Sequence, residues 1–86
     1  MSVIYNSSES RSERRKRRTR EQIRLATSEL LLETGYSALT VQKITERADI
    51  GYGTFYLHYT DIDDAVWEVA REIMAMENER LIQAIQ

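Results

Sequence analysis

The side chains best suited to chemistry in this sequence lie in one short segment, residues 52–59. The segment holds the hydroxyls of Tyr52, Thr54 and Tyr56 and the only histidine of the chain, His58. These groups donate and accept hydrogen bonds, and they carry no formal charge while the imidazole is neutral. The segment is therefore suited to hydrogen bonding with a polar surface such as a base edge or a phosphate.

Catalysis and metal binding have little support in the sequence. The chain has one histidine and no cysteine, so it lacks the partners of a nucleophilic site or a thiolate site. Gly51-Tyr-Gly lacks the third glycine and the lysine of a phosphate-binding loop. Asp61, Asp63 and Asp64 do not form the twelve-residue calcium loop and are better explained by helix capping. We expect no catalytic residue, no bound metal and no cofactor.

Positive charge is concentrated at the N-terminal end of the chain. Residues 1–20 hold seven basic and two acidic side chains, a net charge of +5, whereas residues 21–86 carry −7. Residues 1–18 contain too few apolar side chains to offset the entropy of ordering, so they are expected to form a flexible arm. Such an arm suits a polyanion, although a solvated leader is the alternative. The residues expected to bind the polyanion are Arg14, Arg15, Lys16, Arg17, Arg18 and Arg20.

Four helices are predicted to position these groups. Thr19 with Gln22 resembles a capping box, which predicts a first helix over about residues 20–34, ending at Gly35. Its inner positions recur at steps of three and four residues. They are Ile23, Ala26, Leu30 and Leu31.

The remaining helices are shorter, except for the last. Thr40 caps a predicted helix over about residues 41–48, and a third helix follows over about residues 52–59. A fourth begins near Asp61 and runs through residues 61–86. Two short helices joined by a tight turn after a longer helix predict an all-α, homeodomain-like helix-turn-helix domain over residues 19–60, followed by a longer fourth helix.

The segment at residues 34–59 resembles the signature of TetR-family regulators, and the similarity extends over about residues 20–69. The residues that carry it are Gly35-Tyr36, Thr40-Val41, Ile44, Ala48, Ile50, Gly53-Thr54-Phe55-Tyr56 and His58-Tyr59. The resemblance implies a sequence-specific regulator of transcription, a repressor in most cases, that binds double-stranded DNA as a homodimer on a near-palindromic operator. It also implies a cytoplasmic protein and a further helical domain, outside this chain, that binds a small-molecule inducer.

The resemblance and the helical spacing agree about the third helix. Phe55 and Tyr59 share one side and should face the core, so the opposite side is expected to enter the major groove. An exposed Leu57 suits a thymine methyl, although a locally buried leucine is the alternative. The residues expected to reach bases or the groove are Gln42, Tyr52, Gly53, Thr54 and Leu57. Those expected to bind phosphates are Thr40, Tyr56 and His58. A core position is the alternative for both Tyr52 and Tyr56.

Two departures from the family pattern weaken the expected phosphate contacts. Tyr52 and Ile62 stand where the family commonly has lysine. We expect the basic arm to compensate by binding phosphates or entering the minor groove. A protein-interaction or adaptor module that retains the fold is the alternative function, favoured by the acidic fourth helix. The longest apolar runs are far too short for a membrane span.

Overall fold

The computed structural model describes residues 9–85, which form four α-helices and one turn of 3-10 helix and contain no strand. The helices are α1 (Arg11–Thr34), α2 (Val41–Ala48), α3 (Tyr52–His58) and α4 (Ile62–Ile85), and the 3-10 turn is Tyr36–Ala38. The predicted fold class, an all-α helix-turn-helix domain with a longer fourth helix, is confirmed. None of the helices over residues 9–85 has both the length and the apolar character needed to cross a membrane.

The start of α1 differs from the prediction. The helix begins at Arg11, not near Arg20, and its cap is Ser10 in place of Thr19. The Ser10 hydroxyl accepts a hydrogen bond from the Glu13 amide, and the Glu13 carboxylate accepts one from the Ser10 amide, each at 3.1 Å. Residues 11–18 are therefore helical and do not form the flexible segment expected there. Residues 1–8 of the expected arm lie outside the described residues.

The core lies where α1, α2 and α3 meet, with the first turns of α4 packed against them. Phe55 of α3 and Ile23 and Ile44 of the two preceding helices are fully buried. The other buried apolar residues are Ala26, Leu30, Leu39, Val41, Ala48, Tyr59, Ala65 and Val69. Leu31, expected among them, is half-buried and packs against this cluster.

The turn between α2 and α3 is set by Asp49. Its φ of 58° places it in the left-handed region, which aspartate tolerates better than most residues. Its amide donates to the Glu46 carbonyl, and the Ile50 amide donates to the Thr45 carbonyl at 3.0 Å. Gly51 has an ordinary φ of −71° and serves as the N-cap of α3. This short turn holds α3 across the end of α2.

Both long helices extend past the core. Residues 11–18 at the start of α1 and 71–85 at the end of α4 are exposed throughout. The radius of gyration is 15.7 Å, larger than the roughly 12 Å expected for a compact domain of this length. The N-terminal part of α1 is basic, whereas the C-terminal part of α4 carries exposed apolar side chains that include Met74 and Leu81.

Candidate nucleic-acid interface

The two sides of α3 have opposite environments. Phe55 is fully buried and Tyr59, just after the helix, is 3% exposed, as predicted. Leu57 lies on the other side and is 82% exposed, which excludes the alternative of a locally buried leucine. A leucine this exposed does not stabilise the fold by burial, so it is free to contact another molecule.

Gly53 lies on the same open side as Leu57. A β-carbon built at Gly53 would meet no atom within 4 Å, and the backbone φ is not positive. Neither packing nor backbone conformation therefore requires glycine here. The absence of a side chain does leave the α3 backbone open to close approach by a partner. Thr54, next along the chain, is half-buried at the edge of this surface.

Tyr52 and Tyr56 flank the open side of α3. Both are about half exposed, and their ring centroids are 5.6 Å apart at a tilted angle. Tyr56 also packs edge-on against the buried ring of Phe55, at 5.2 Å between centroids. The rings are thus supported by the domain while their hydroxyls remain available, which disfavours the alternative core positions.

Arg20 occupies a different place from the one expected. Its guanidinium donates to the Glu68 carboxylate through Nη2 at 2.7 Å and Nε at 3.2 Å, and through Nη1 to the His58 carbonyl at 3.2 Å. It also lies over the Tyr59 ring, 4.6 Å from the centroid. Arg20 is therefore engaged in joining α1, α3 and α4. The DNA contact predicted for Arg20 from its charge stays a prediction, because its side chain is still partly exposed.

Glu68 is the acceptor at the centre of this cluster. It receives hydrogen bonds from the Tyr59 hydroxyl and from Arg20. Burial alone would raise the pKa of Glu68, but the bonds from Tyr59 and Arg20 outweigh it and hold the pKa below its ordinary value. Burial and the bond to Glu68 raise the pKa of Tyr59, so its hydroxyl stays protonated. We refer to Arg20, Tyr59 and Glu68 as the α1–α4 bracket.

His58 lies at the end of α3 beside the basic part of α1. A shallow groove there is lined by Lys16, Arg17, Arg20, Leu57 and His58. Burial lowers the pKa of His58, and the positive charges of Arg20 and Lys16 lower it further. The imidazole is therefore neutral near pH 7, and α3 is uncharged at that pH.

Two further candidates lie in the first turn of α2 or at its cap. Thr40 caps α2, because its hydroxyl oxygen accepts from the Lys43 amide at 3.1 Å. The hydroxyl proton can still be donated to an external acceptor. Gln42 is exposed, and its amide nitrogen donates to Glu46 at 3.3 Å. Both positions leave the side chains accessible to a partner of α2.

The other basic candidates all lie on the exposed N-terminal part of α1, but they divide between surfaces. Lys16 and Arg17 line the groove beside Leu57. Arg14 and Arg18 line a separate depression with Arg17 and Glu21. Arg15 is exposed as well, and Arg17 forms an ion pair with Glu9 at 2.8 Å. The structure therefore brings only part of the basic segment next to α3.

Two contacts between distant parts of the chain were not predicted from the sequence. The Glu68 carboxylate accepts a hydrogen bond from Arg20, which lies 48 positions earlier in the chain. The Tyr36 hydroxyl donates to Asp63, which lies 27 positions later. Neither pair lies at a helical spacing, so no local pattern indicated them. The single sign for Glu68 was its position three residues after Ala65, beside the inner side of the predicted fourth helix.

A helix-turn-helix whose third helix has one buried and one open side is typical of DNA-binding regulators. A family model for bacterial regulatory proteins of the tetR family matches residues 23–66, just over half of the chain. The chain therefore belongs to the tetR family, whose members regulate transcription by binding DNA and are not enzymes. Searches of curated proteins and of solved structures found no match. The matched span begins at Ile23, so it does not include the basic part of α1.

Proposed function

We propose that the chain binds double-stranded DNA sequence-specifically, as a repressor of transcription, with α3 in the major groove. The observation that carries this proposal is the open side of α3, where Leu57 is 82% exposed and Gly53 leaves the backbone accessible. The major groove is about 12 Å wide and admits a helix, and its bases present methyl groups as well as donors and acceptors. Such a surface fits a protruding leucine flanked by hydroxyls.

The flanking residues supply the polar contacts in this proposal. Tyr52 and Thr54 reach base edges or the groove wall, together with Gln42 from α2. Tyr56, Thr40 and His58 donate to phosphates, which fixes the orientation of α3 without reading sequence. The neighbouring Tyr52 side chain raises the pKa of Tyr56, so the Tyr56 hydroxyl stays protonated and able to donate.

A second copy of the chain would double the number of base pairs that are read. A helix of seven residues is about 10 Å long, which spans roughly three base pairs. Three base pairs recur far too often in a genome to mark one operator. We therefore propose that two copies bind a near-palindromic operator, with their α3 helices about one helical turn apart.

Selection of bound sequences from a random duplex pool tests the proposal. We expect a consensus with thymine at a fixed position for the wild type, and loss of that thymine preference in Leu57→Ala. Leu57→Ala should fold normally, because Leu57 is exposed. An unchanged consensus in the variant would refute the methyl contact, and no enrichment by the wild type would refute sequence-specific binding.

A protein-interaction module is the second candidate, and one observation favours it. Helix α4 exposes apolar residues along its length, among them Trp67, Met74 and Leu81, and it carries net negative charge. Retention on random duplex DNA at low and moderate salt separates the two functions. DNA binding predicts retention that falls steeply with salt, whereas a protein-interaction module predicts no retention at either salt concentration.

A further inference from the structure

The first nine residues of α1 form a helical projection that the core does not hold. We call residues 11–19 the α1 extension. It is about 14 Å long at 1.5 Å per residue. It ends just before Arg20, the first residue of α1 that is hydrogen-bonded to α3 and α4. It holds six basic side chains against the single acidic residue Glu13. The capping box of Ser10 and Glu13 closes its N-terminal end.

Helical geometry divides the basic side chains of the α1 extension between two sides. Lys16 precedes the buried Ile23 by seven residues, which is two turns, so it continues the core-facing side of α1. Arg14 lies nine residues before Ile23, and at about 100° per residue it points to the opposite side. Arg18 points the same general way as Arg14. Their equal charges therefore lie in different surroundings.

The side that carries Lys16 adjoins the open side of α3. Lys16 and Arg17 line one groove with Leu57 and His58. The charge of Lys16 lies close enough to His58 to contribute to the lowered pKa of that imidazole. DNA that contacts Leu57 would consequently have its adjoining backbone beside Lys16.

The shape of the α1 extension determines which part of DNA it can contact. A helix with its side chains is about 10 to 12 Å wide, whereas the minor groove is about 6 Å wide. The extension therefore cannot enter the minor groove as a flexible arm would. Its long cationic side chains can instead reach phosphates on the outside of the duplex. Arg20 is already bonded to Glu68, which leaves Lys16 as the groove-lining cation without an ion pair among residues 9–85.

We propose that Lys16, assisted by Arg17, binds the DNA phosphate backbone next to the base pairs that α3 reads. The α1 extension thereby lengthens the DNA footprint on one side, by contacts that carry no sequence information. This inference rests on the proposed function, because it assigns a second part of the same DNA interface. It also separates Lys16 from Arg14 and Arg18, which lie on the side away from α3.

A comparison of Lys16→Ala with Arg14→Ala tests the proposal, since both variants remove one exposed charge from the same helix. Binding is measured by fluorescence anisotropy on a duplex selected by the wild type, with long flanks and with flanks trimmed to the bases that α3 reads. On the long duplex we expect Lys16→Ala to weaken binding about fivefold and to reduce the salt slope by about one. Arg14→Ala should change affinity by less than about twofold.

The trimmed duplex locates the contact. There, Lys16→Ala should bind as well as the wild type, because the phosphates that Lys16 contacts have been removed. Equal losses in Lys16→Ala and Arg14→Ala would overturn the proposal in favour of general electrostatic attraction. An equal loss for Lys16→Ala on both duplexes would overturn the placement on the flank. Failure of the wild type to bind any duplex would refute the proposed function itself, which is a different result.

Discussion

Phe55 and Leu57 are only two positions apart in the chain, yet they lie on opposite sides of α3 and have different roles. Phe55 is fully buried, and its ring joins the packing of α1, α2 and α4, whereas Leu57 is 82% exposed. The buried side of the helix determines whether the domain folds. The open side can vary without affecting the fold, so its residues are available for recognition. The comparison predicts that substitutions on the two sides will affect different measurements.

The largest expected effect is on the buried side. Phe55→Ala should lower the free energy of unfolding by about 3 to 5 kcal/mol, because it leaves a cavity at the centre of a small core. Leu57→Ala should change it by less than about 0.5 kcal/mol. Urea denaturation monitored by circular dichroism measures both. Similar losses in the two variants would mean that Leu57 packs against the domain, contrary to the comparison.

The next largest effect on the free energy of unfolding is expected in the α1–α4 bracket, which fixes the end of α3. Glu68→Gln should cost about 1 to 2 kcal/mol near pH 7, because it weakens the ion pair with Arg20. Glu77→Gln removes a carboxylate from an exposed pair with Arg80 and should cost little. The two variants are compared by urea denaturation. Equal stabilities would show that the bracket contributes nothing measurable.

The pH dependence of that difference follows from the lowered pKa of Glu68. A carboxylate whose pKa is lower in the folded state stabilises the protein above its unfolded pKa, near 4.5, and this stabilisation is lost as the pH falls through the folded value. The stability difference between wild type and Glu68→Gln should therefore be complete at pH 7 and shrink below about pH 4.5. A difference that stays constant down to pH 3 would contradict this assignment.

Gly53→Ala sharpens the comparison, because the two measurements should move in opposite directions. Alanine favours a helix over glycine by about 0.5 to 1 kcal/mol, and the added methyl group meets no atom of the domain. The variant should be more stable in urea. Its DNA affinity should fall about tenfold, since the methyl group would block close approach of the α3 backbone. Unchanged affinity would show that DNA does not approach α3 at Gly53.

The smallest expected effect concerns His58. Burial and the charges of Arg20 and Lys16 lower its pKa in the free protein below 6.5, and a nearby phosphate would raise it again. Binding should then take up a proton, so affinity should rise a fewfold from pH 8 to pH 6. His58→Gln should show a flatter profile in the same anisotropy titration. Parallel profiles would place His58 away from the phosphates.

The sequence was most informative where the determinants are local. The bounds of α2 and α3 were predicted within about one residue, because Thr40 and Gly51 mark their starts and short apolar stripes mark their inner sides. The open and buried sides of α3 followed from helical spacing, and the structure agrees for Phe55, Tyr59 and Leu57. The contacts of these residues with DNA remain predictions.

The sequence was least informative at the start of α1 and around Arg20. Residues 11–18 lack an apolar stripe, which concealed their helical state. Arginine and lysine nevertheless favour helix, and extending an existing helix costs far less than starting one, so the Ser10 cap is sufficient. The engagement of Arg20 could not be predicted, because Glu68 lies on another helix and is brought close only by the fold.

The lack of formal charge on α3 has a consequence for how an operator is found. Salt weakens binding in proportion to the charged contacts with phosphates. On our proposal those contacts belong to α1, and α3 adds one only where His58 is protonated. The binding free energy contributed by the α3 contacts would not depend on salt and would differ only between base sequences. The ratio of operator affinity to random-DNA affinity should therefore stay nearly constant as salt rises, while both affinities fall together. Searching along DNA and stopping at the right place would then be controlled by separate helices.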